Sequence, residues 1–374
     1  MTDTATDAGL RDRLVALTRD LILVPSSAAH PAEIERSLDL LSIQLDTVAG
    51  VRLEEHRCED VPALVALPDG VAKPEVLLLA HVDVVDHGNA GVYRSQVRDG
   101  RIYGPGAGDM KGALAVLTTL FTELHQCHRG VSLGLAVTAD EEIGGHGARH
   151  LVAQGLACGV ALLPDGGSID RVVAAEKGIL HLDAEWRGVS THAAYPWEGR
   201  NPVDTMLDDL TRVRERFAAL ANGSTAEHWH PTATVTTLES ESHTLNRIPS
   251  FARAGIDVRF TPPWTVAAIL AEVRSCLGAA AVATPRVGDE PTEMTPDPAF
   301  MAVGARVLGR PMGVVRTAGT SDARFLSERG IPVIMSRPLV GNIHRADEWI
   351  DIASMLQYYH MLQEFIRHRL DLSR

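Results

Sequence analysis

The stretch EVLLLAHVD, Glu75–Asp83, opens with a short run, Glu75–Ala80, apolar at every position after Glu75, that follows Pro74 and ends at His81. The run is strand-sized and too short for a helix. Apolar residues at successive rather than alternate positions mark a strand covered on both faces. Two similar runs follow, VSLGLAVT (Val131–Thr138) and Val160–Leu163. Helical patterns surround them. Leu10, Leu14, Leu17 and Leu21 place an amphipathic helix over residues 8–23, ended near Pro25, and further helices fit Pro31–Val48, Lys111–His125 and His146–Gln154. Strands alternating with helices predict an α/β fold, a mostly parallel sheet flanked by helices.

From about Gly178 the pattern changes. HLDAEWR (His181–Arg187) alternates polar and apolar, Pro202–Leu220 reads as a long charged amphipathic helix, and Thr232–Thr237 and Gly255–Phe260 read as half-exposed strands. Such alternation fits an antiparallel sheet with one covered face. Pro262 and Pro263 precede a helix over Val266–Leu277, and Thr284–Pro298, rich in Pro, Asp and Glu, reads as a crossing linker. Helix Ala299–Leu308, strand Ile331–Met335 and helix Ile350–His368 then restore the α/β texture. The expected division is a discontinuous domain over 1–177 and 289–374, with an α+β domain inserted over 178–288.

Composition narrows the function. A chain of 374 residues should form about two domains. With 45% hydrophobic and 22% charged residues it is globular rather than disordered. The formal charge of −13, from 35 basic and 48 acidic residues, argues against nucleic acid or an anionic membrane as a partner. The start, MTDTATDAG, has neither a basic run nor an apolar core, so no secretory signal is expected, and no apolar stretch approaches the roughly 20 residues of a membrane helix. Four cysteines far apart in sequence fit thiols in a reducing compartment, so a cytoplasmic location is expected.

The acidic and histidine residues fall where open α/β sheets bind ligands, just past the carboxyl ends of strands. His81 and Asp83 follow the first run, Asp140, Glu141 and Glu142 follow Thr138, and Asp165 follows Leu163. The glycine-rich turn GPGAGD (Gly104–Asp109) opens a helix, and GNIH (Gly341–His344) follows the strand Ile331–Met335. Five loops thus carry His81, Asp109, Glu142, Asp165 and His344 toward one rim. Carboxylates so crowded repel one another unless cations compensate. Two His and three carboxylates, one of them bridging, can hold two divalent ions, and Zn²⁺ accepts that mixed nitrogen and oxygen set; Co²⁺ and Mn²⁺ are alternatives.

The runs LLLAHVDV (Leu77–Val84), YGPGAGDMKG (Tyr103–Gly112) and TADEEIGG (Thr138–Gly145) resemble the dizinc metallopeptidases and aminoacylases, the family of acetylornithine deacetylase, succinyl-diaminopimelate desuccinylase and glutamate-releasing carboxypeptidases. The resemblance spans nearly the whole chain and makes the inserted domain a lid and dimerisation domain. It implies that His81 and Asp165 hold one metal, Glu142 and His344 the other, and Asp109 bridges both. Asp83 would fix the His81 tautomer and Glu141 would be the general base, the two neighbouring glutamates pointing apart in an extended segment. It implies a cis peptide after Asp109. His192, in THAAYP (Thr191–Pro196), is similar to the lid histidine that reaches the neighbouring subunit's site, which implies a homodimer. Asn246 and Arg259 resemble the residues that bind the substrate carboxylate, and GTSD (Gly319–Asp322), with Thr320, resembles a loop near the site, Asp322 supporting rather than reacting.

The implied activity is metal-dependent hydrolysis of an amide bond in a small N-acyl amino acid, with a dipeptidase or carboxypeptidase of the same family as the alternative and a non-catalytic metal-binding protein as the different-class alternative. Asp165 stands where family deacylases usually carry Glu and where aminopeptidase and dipeptidase members carry Asp. Other chemistries fit poorly. The nearest approach to G-x-S-x-G, around Ser321, ends in Ala323. Asp109 replaces the last Gly of G-x-G-x-x-G, and Met110 precedes Lys111 where a P-loop needs Gly.

Overall fold

A computed structural model of the chain describes residues 4–222 and 228–372. Contacts divide it into two units, one comprising Met1–Ala174, Met294–Val315 and Ser321–Arg374, the other Ala175–Glu293 and Arg316–Thr320.

The first unit is built on a six-stranded sheet in the order Val51–Cys58, Val61–Pro68, Leu133–Thr138, Val76–His81, Val160–Leu162 and Val333–Ile334. The last four strands pair in parallel; the first two are antiparallel additions. Every residue of Val76–His81 and Leu133–Thr138 is buried, as their unbroken apolar runs require. Helix Gly112–Cys127 packs on both of these strands and is itself covered by helices Thr4–Ile22 and Ile352–Arg369. It is buried nearly all round, which explains why Leu, Val, Ala and Phe occupy more than one of its faces. The hairpin Val51–Cys58 and Val61–Pro68 was not anticipated. VRLEEHRC gives only weak alternation, and VPALVALP, flanked by prolines, gives none.

A second, small sheet lies beside the glycine-rich turn. It runs in the order Val340–Gly341, Trp349–Asp351, Arg101–Tyr103 and Gln96–Arg98. His344 therefore sits in a hairpin connection between Val340–Gly341 and Trp349–Asp351, not directly after the strand expected at Ile331–Met335, which contracts to Val333–Ile334. The hairpin turns sharply, with Asn342 and His344 at φ of 56° and 62°.

The second unit carries an antiparallel sheet in the order Thr232–Ser240, Phe251–Phe260, Gly178–Arg187 and Ala281–Asp289. Phe251–Phe260 alternates strictly between half-buried and buried residues, and the buried set packs with helices Pro202–Ala221 and Val266–Cys276. Asn201 and Thr265 cap these helices by accepting the N–H groups of Val203 and Ala268. Trp186, fully buried, donates its indole N–H to Asp209 at 2.7 Å. The crossing linker expected at Thr284–Pro298 is a correction: Ala281–Asp289 is an edge strand, irregular between Pro285 and Val287. Proline suppresses the strand signal, yet an edge strand tolerates it because one side of its ladder is unpaired.

Candidate metal centre

Three neighbouring parallel strands, Leu133–Thr138, Val76–His81 and Val160–Leu162, end on one edge of the main sheet. That edge gathers His81 as a strand's last residue, Glu141 and Glu142 in the turn after Thr138, and Asp165 beyond Leu162. Among the described residues, two groups offer ligand atoms within 4.8 Å of one another: His81, Asp109 and Asp165, and Asp109, Glu142 and His344. Asp109 belongs to both. Its Oδ1 lies 3.3 Å from His81 Nε2, and its Oδ2 lies 3.6 Å from His344 Nε2, which is 3.2 Å from Glu142 Oε2.

The donors fit a metal ion in a specific way. His81 Nε2, Asp109 Oδ1 and Glu142 Oε1 are buried and have no hydrogen-bond partner. Buried polar atoms are otherwise almost always paired, so three orphans on residues of the two ligand groups fit a cation better than one another. The mixed imidazole and carboxylate set suits Zn²⁺, and also Co²⁺ or Mn²⁺. Burial pulls the His81 pKa down, but Asp109 and Asp83 outweigh it and push it well above the usual value. Burial likewise raises the Asp109 pKa, and His81, Arg337 and His344 bring it well below the usual range. A cation would satisfy both carboxylate and imidazole without that proton.

The glycine-rich turn is fixed by a residue that the sequence reading missed. Glu348, buried, accepts the N–H groups of Gly106 at 3.1 Å, Gly108 at 2.7 Å and Asp109 at 2.6 Å. Burial and the charge of Asp109 push its pKa up to about 7 against those three donors. The only sequence signal was an acidic residue directly before the apolar strand Trp349–Asp351. Glycines are needed here for closeness: a Cβ on Gly108 would meet Val340 Cβ at 2.8 Å and Glu348 Oε1 at 3.2 Å. The Asp109–Met110 peptide is cis, as the resemblance implied.

Asp83 meets the His81 ring with both its backbone and its side chain. The nearest acceptor to His81 Nδ1 is the Asp83 backbone carbonyl at 3.1 Å, with the carboxylate at 3.4 Å. The carboxylate also accepts the N–H groups of Glu141 at 3.2 Å and Glu142 at 3.0 Å. The two glutamates occupy a 3₁₀ turn, Glu141–Ile143, and not the extended segment expected. Successive residues of such a turn still diverge, by about 120°. Burial, then Asp165, raises the Glu141 pKa well above the usual carboxylate value. Asp322 is also buried; its carboxylate accepts the Thr138 hydroxyl at 3.1 Å, and burial pushes its pKa up to about 7.

The other expected site residues belong to the second unit. His192 is exposed, and its Nδ1 accepts the Ala194 N–H at 3.0 Å. Its strand pairs with Arg247–Ile248, and the exposed Asn246 accepts the Ala193 N–H through its backbone carbonyl at 2.9 Å. Arg259 is gripped bidentately by Asp257 and reaches the Thr320 hydroxyl at 3.3 Å. Thr320 in turn donates to the Lys177 carbonyl at 2.8 Å.

A metal-dependent hydrolase is the class that this fold and cluster define. Residues 77–368 match Peptidase family M20/M25/M40. A succinyl-diaminopimelate desuccinylase of Xanthomonas oryzae is 30% identical over 363 residues, covering 91% of this chain and 94% of that protein. The fold matches a tripeptidase from Staphylococcus aureus, with a TM-score of 0.78 and 20% identity over 96% of this chain and 99% of the other. It also matches an M20 family metallo-carboxypeptidase from Sulfolobus solfataricus, with a TM-score of 0.77 and 17% identity over 96% and 99% of the two chains. The chain belongs to peptidase family M20/M25/M40 and is a metal-dependent amidohydrolase.

Proposed function

We propose that the protein hydrolyses the amide bond of a small N-acyl amino acid, using two divalent cations, zinc first among the candidates. One observation carries this assignment: the two ligand groups share Asp109, with Glu141 in the adjoining turn. His81 and Asp165 would hold one ion, Glu142 and His344 the other, and Asp109 both. The cations supply Lewis acidity to the scissile carbonyl and acidify the attacking water.

The chain's own residues do the rest. Glu141 takes a proton from the water and returns it to the leaving nitrogen, so that a free amine departs. Asp83 fixes both the His81 ring and the turn that carries Glu141. His192 uses Nδ1 as an acceptor, which leaves Nε2 to carry the ring proton and donate to the developing oxyanion. Arg259, with Asn246 and Thr320, receives the amino acid's carboxylate. The desuccinylase relatives support an acyl amino acid as substrate. Asp165, in place of the Glu usual in deacylases, favours a dipeptidase as the second reading. Four free cysteines support a cytoplasmic setting, and the resemblance supports a homodimer through the inserted unit.

A substrate panel tests this. The protein is stripped with chelator, reloaded with Zn²⁺, Co²⁺ or Mn²⁺, and offered N-acetyl and N-succinyl amino acids beside free dipeptides. N-acyl substrates should be preferred. Glu141→Gln should lose about 10²–10⁴-fold in kcat while keeping wild-type metal content. Faster turnover of free dipeptides would give the second reading, and a fully active Glu141→Gln would remove the base from the mechanism.

A further inference from the structure

Arg337 lies in the segment that joins Val333–Ile334 to Val340–Gly341, and nothing in the mechanism above uses it. Its side chain is 16% exposed. Among the described residues its ion-pair contact is Nη1 to Asp109 Oδ2 at 3.9 Å, at the outer limit of such a pair. That oxygen is the one facing His344. The Arg337 Nε is buried and has no hydrogen-bond partner. A guanidinium cannot shed its charge, and an orphaned buried N–H is costly, so a group in this state fits a ligand that completes it.

Asp109 is the residue common to both ligand groups and meets Arg337 only at 3.9 Å, so it does not complete the guanidinium. His87 adds a second observation. Its Nε2 is also buried without a partner, in the segment that follows His81 and Asp83.

We propose that Arg337 binds a substrate carboxylate beside the metal centre, and that this carboxylate ends the acyl arm, as in half-amides of dicarboxylic acids such as succinyl or glutaryl groups. The assignment rests on the amidohydrolase reading of the same site. The amino acid's own carboxylate is assigned above to the Arg259, Asn246 and Thr320 group, which leaves Arg337 for a second carboxylate. A planar guanidinium can take both oxygens of a carboxylate in parallel, which a neutral acetyl group cannot use.

The experiment uses the full-length, zinc-loaded protein and the variants Arg337→Met, which removes the charge, and Arg337→Lys, which keeps it without the fork. Succinate and acetate are titrated calorimetrically, and KM is measured for N-succinyl and N-acetyl forms of one amino acid, each as the free acid and the α-carboxamide. Arg337→Met should weaken succinate and raise the N-succinyl KM by about tenfold more than it shifts acetate and the N-acetyl KM. The Lys variant should fall between, with zinc content unchanged. Equal losses for succinyl and acetyl forms overturn the proposal, as does a penalty that follows the α-carboxylate instead. Loss of zinc in both variants would make Arg337 part of the metal-holding shell and overturn it too. A wild-type protein without metal-dependent amide hydrolysis would sink the underlying reading, whereas intact hydrolysis with unchanged succinyl preference sinks only the role of Arg337.

Discussion

Asp257 shows how one carboxylate sets a neighbour's function. It accepts His181 Nε2 at 3.0 Å and holds Arg259 at 2.8 Å and 3.1 Å. Burial raises its pKa, but these partners outweigh burial and hold it well below the usual value of 3.8. A group depressed in the folded state stabilises above its unfolded pKa and loses that contribution as pH falls below it. Asp257→Asn should therefore cost about 1 kcal/mol at pH 7, and the gap to wild type should close as the pH drops below about 4. Thermal melts across that range check it; a gap that stays constant would show that Asp257 contributes no charge-dependent stability. Arg259 was singled out by its motif. Its partner was not, because the pairing depends on two side chains leaving the same strand face, and the sequence alone gives no distance. Glu348 escaped for a related reason: its three donors are backbone groups some 240 residues away in the chain.

At the scale of elements, unbroken apolar runs were the readable signal, and the strands Val76–His81 and Leu133–Thr138 fall within a residue or two of expectation. Elements whose pattern competes with another demand were not readable. The hairpin Val51–Pro68 mixes charge into one strand, and the edge strand Ala281–Asp289 carries Pro285. The turn Gly104–Asp109 was legible as a ligand loop, though not as the packed element it is. Gly106 sits at φ of 75°, and a Cβ there would lie 2.4 Å from Val84 Cγ1. Its N–H also anchors on Glu348. Gly106→Ala should thus cost about 2 kcal/mol, from the left-handed backbone and the overlap together. Because the same turn carries Asp109, metal content should fall with stability. Denaturant melts beside metal analysis test this, and a variant with lowered stability but full metal content would separate the turn's packing from its role in the site.

Across the whole chain, the five expected ligands come from positions 81 to 344, yet all belong to the first unit, assembled from strand ends of one sheet, the glycine-rich turn and one hairpin. Parallel strand order made that convergence legible, because neighbouring parallel strands must end on the same edge. The stabilising effect of metal follows. Without a cation, His81 Nε2, Asp109 Oδ1 and Glu142 Oε1 keep their orphaned state and the carboxylates repel. A ligand that binds only the folded form adds RT ln(1 + [L]/Kd), about 2.7 kcal/mol when free metal exceeds Kd a hundredfold. Chelation should therefore lower the melting temperature, and Zn²⁺ should restore it. The loss should be local in origin: hydrogen exchange should quicken in Val76–His81, Leu133–Thr138 and the turn Gly104–Asp109, with little change in Phe251–Phe260. Asp109→Asn should respond to chelator far less than wild type, because the residue common to both ligand groups is gone. Equal chelator sensitivity in wild type and Asp109→Asn, or protection lost equally in both units, would mean that metal acts elsewhere on the protein.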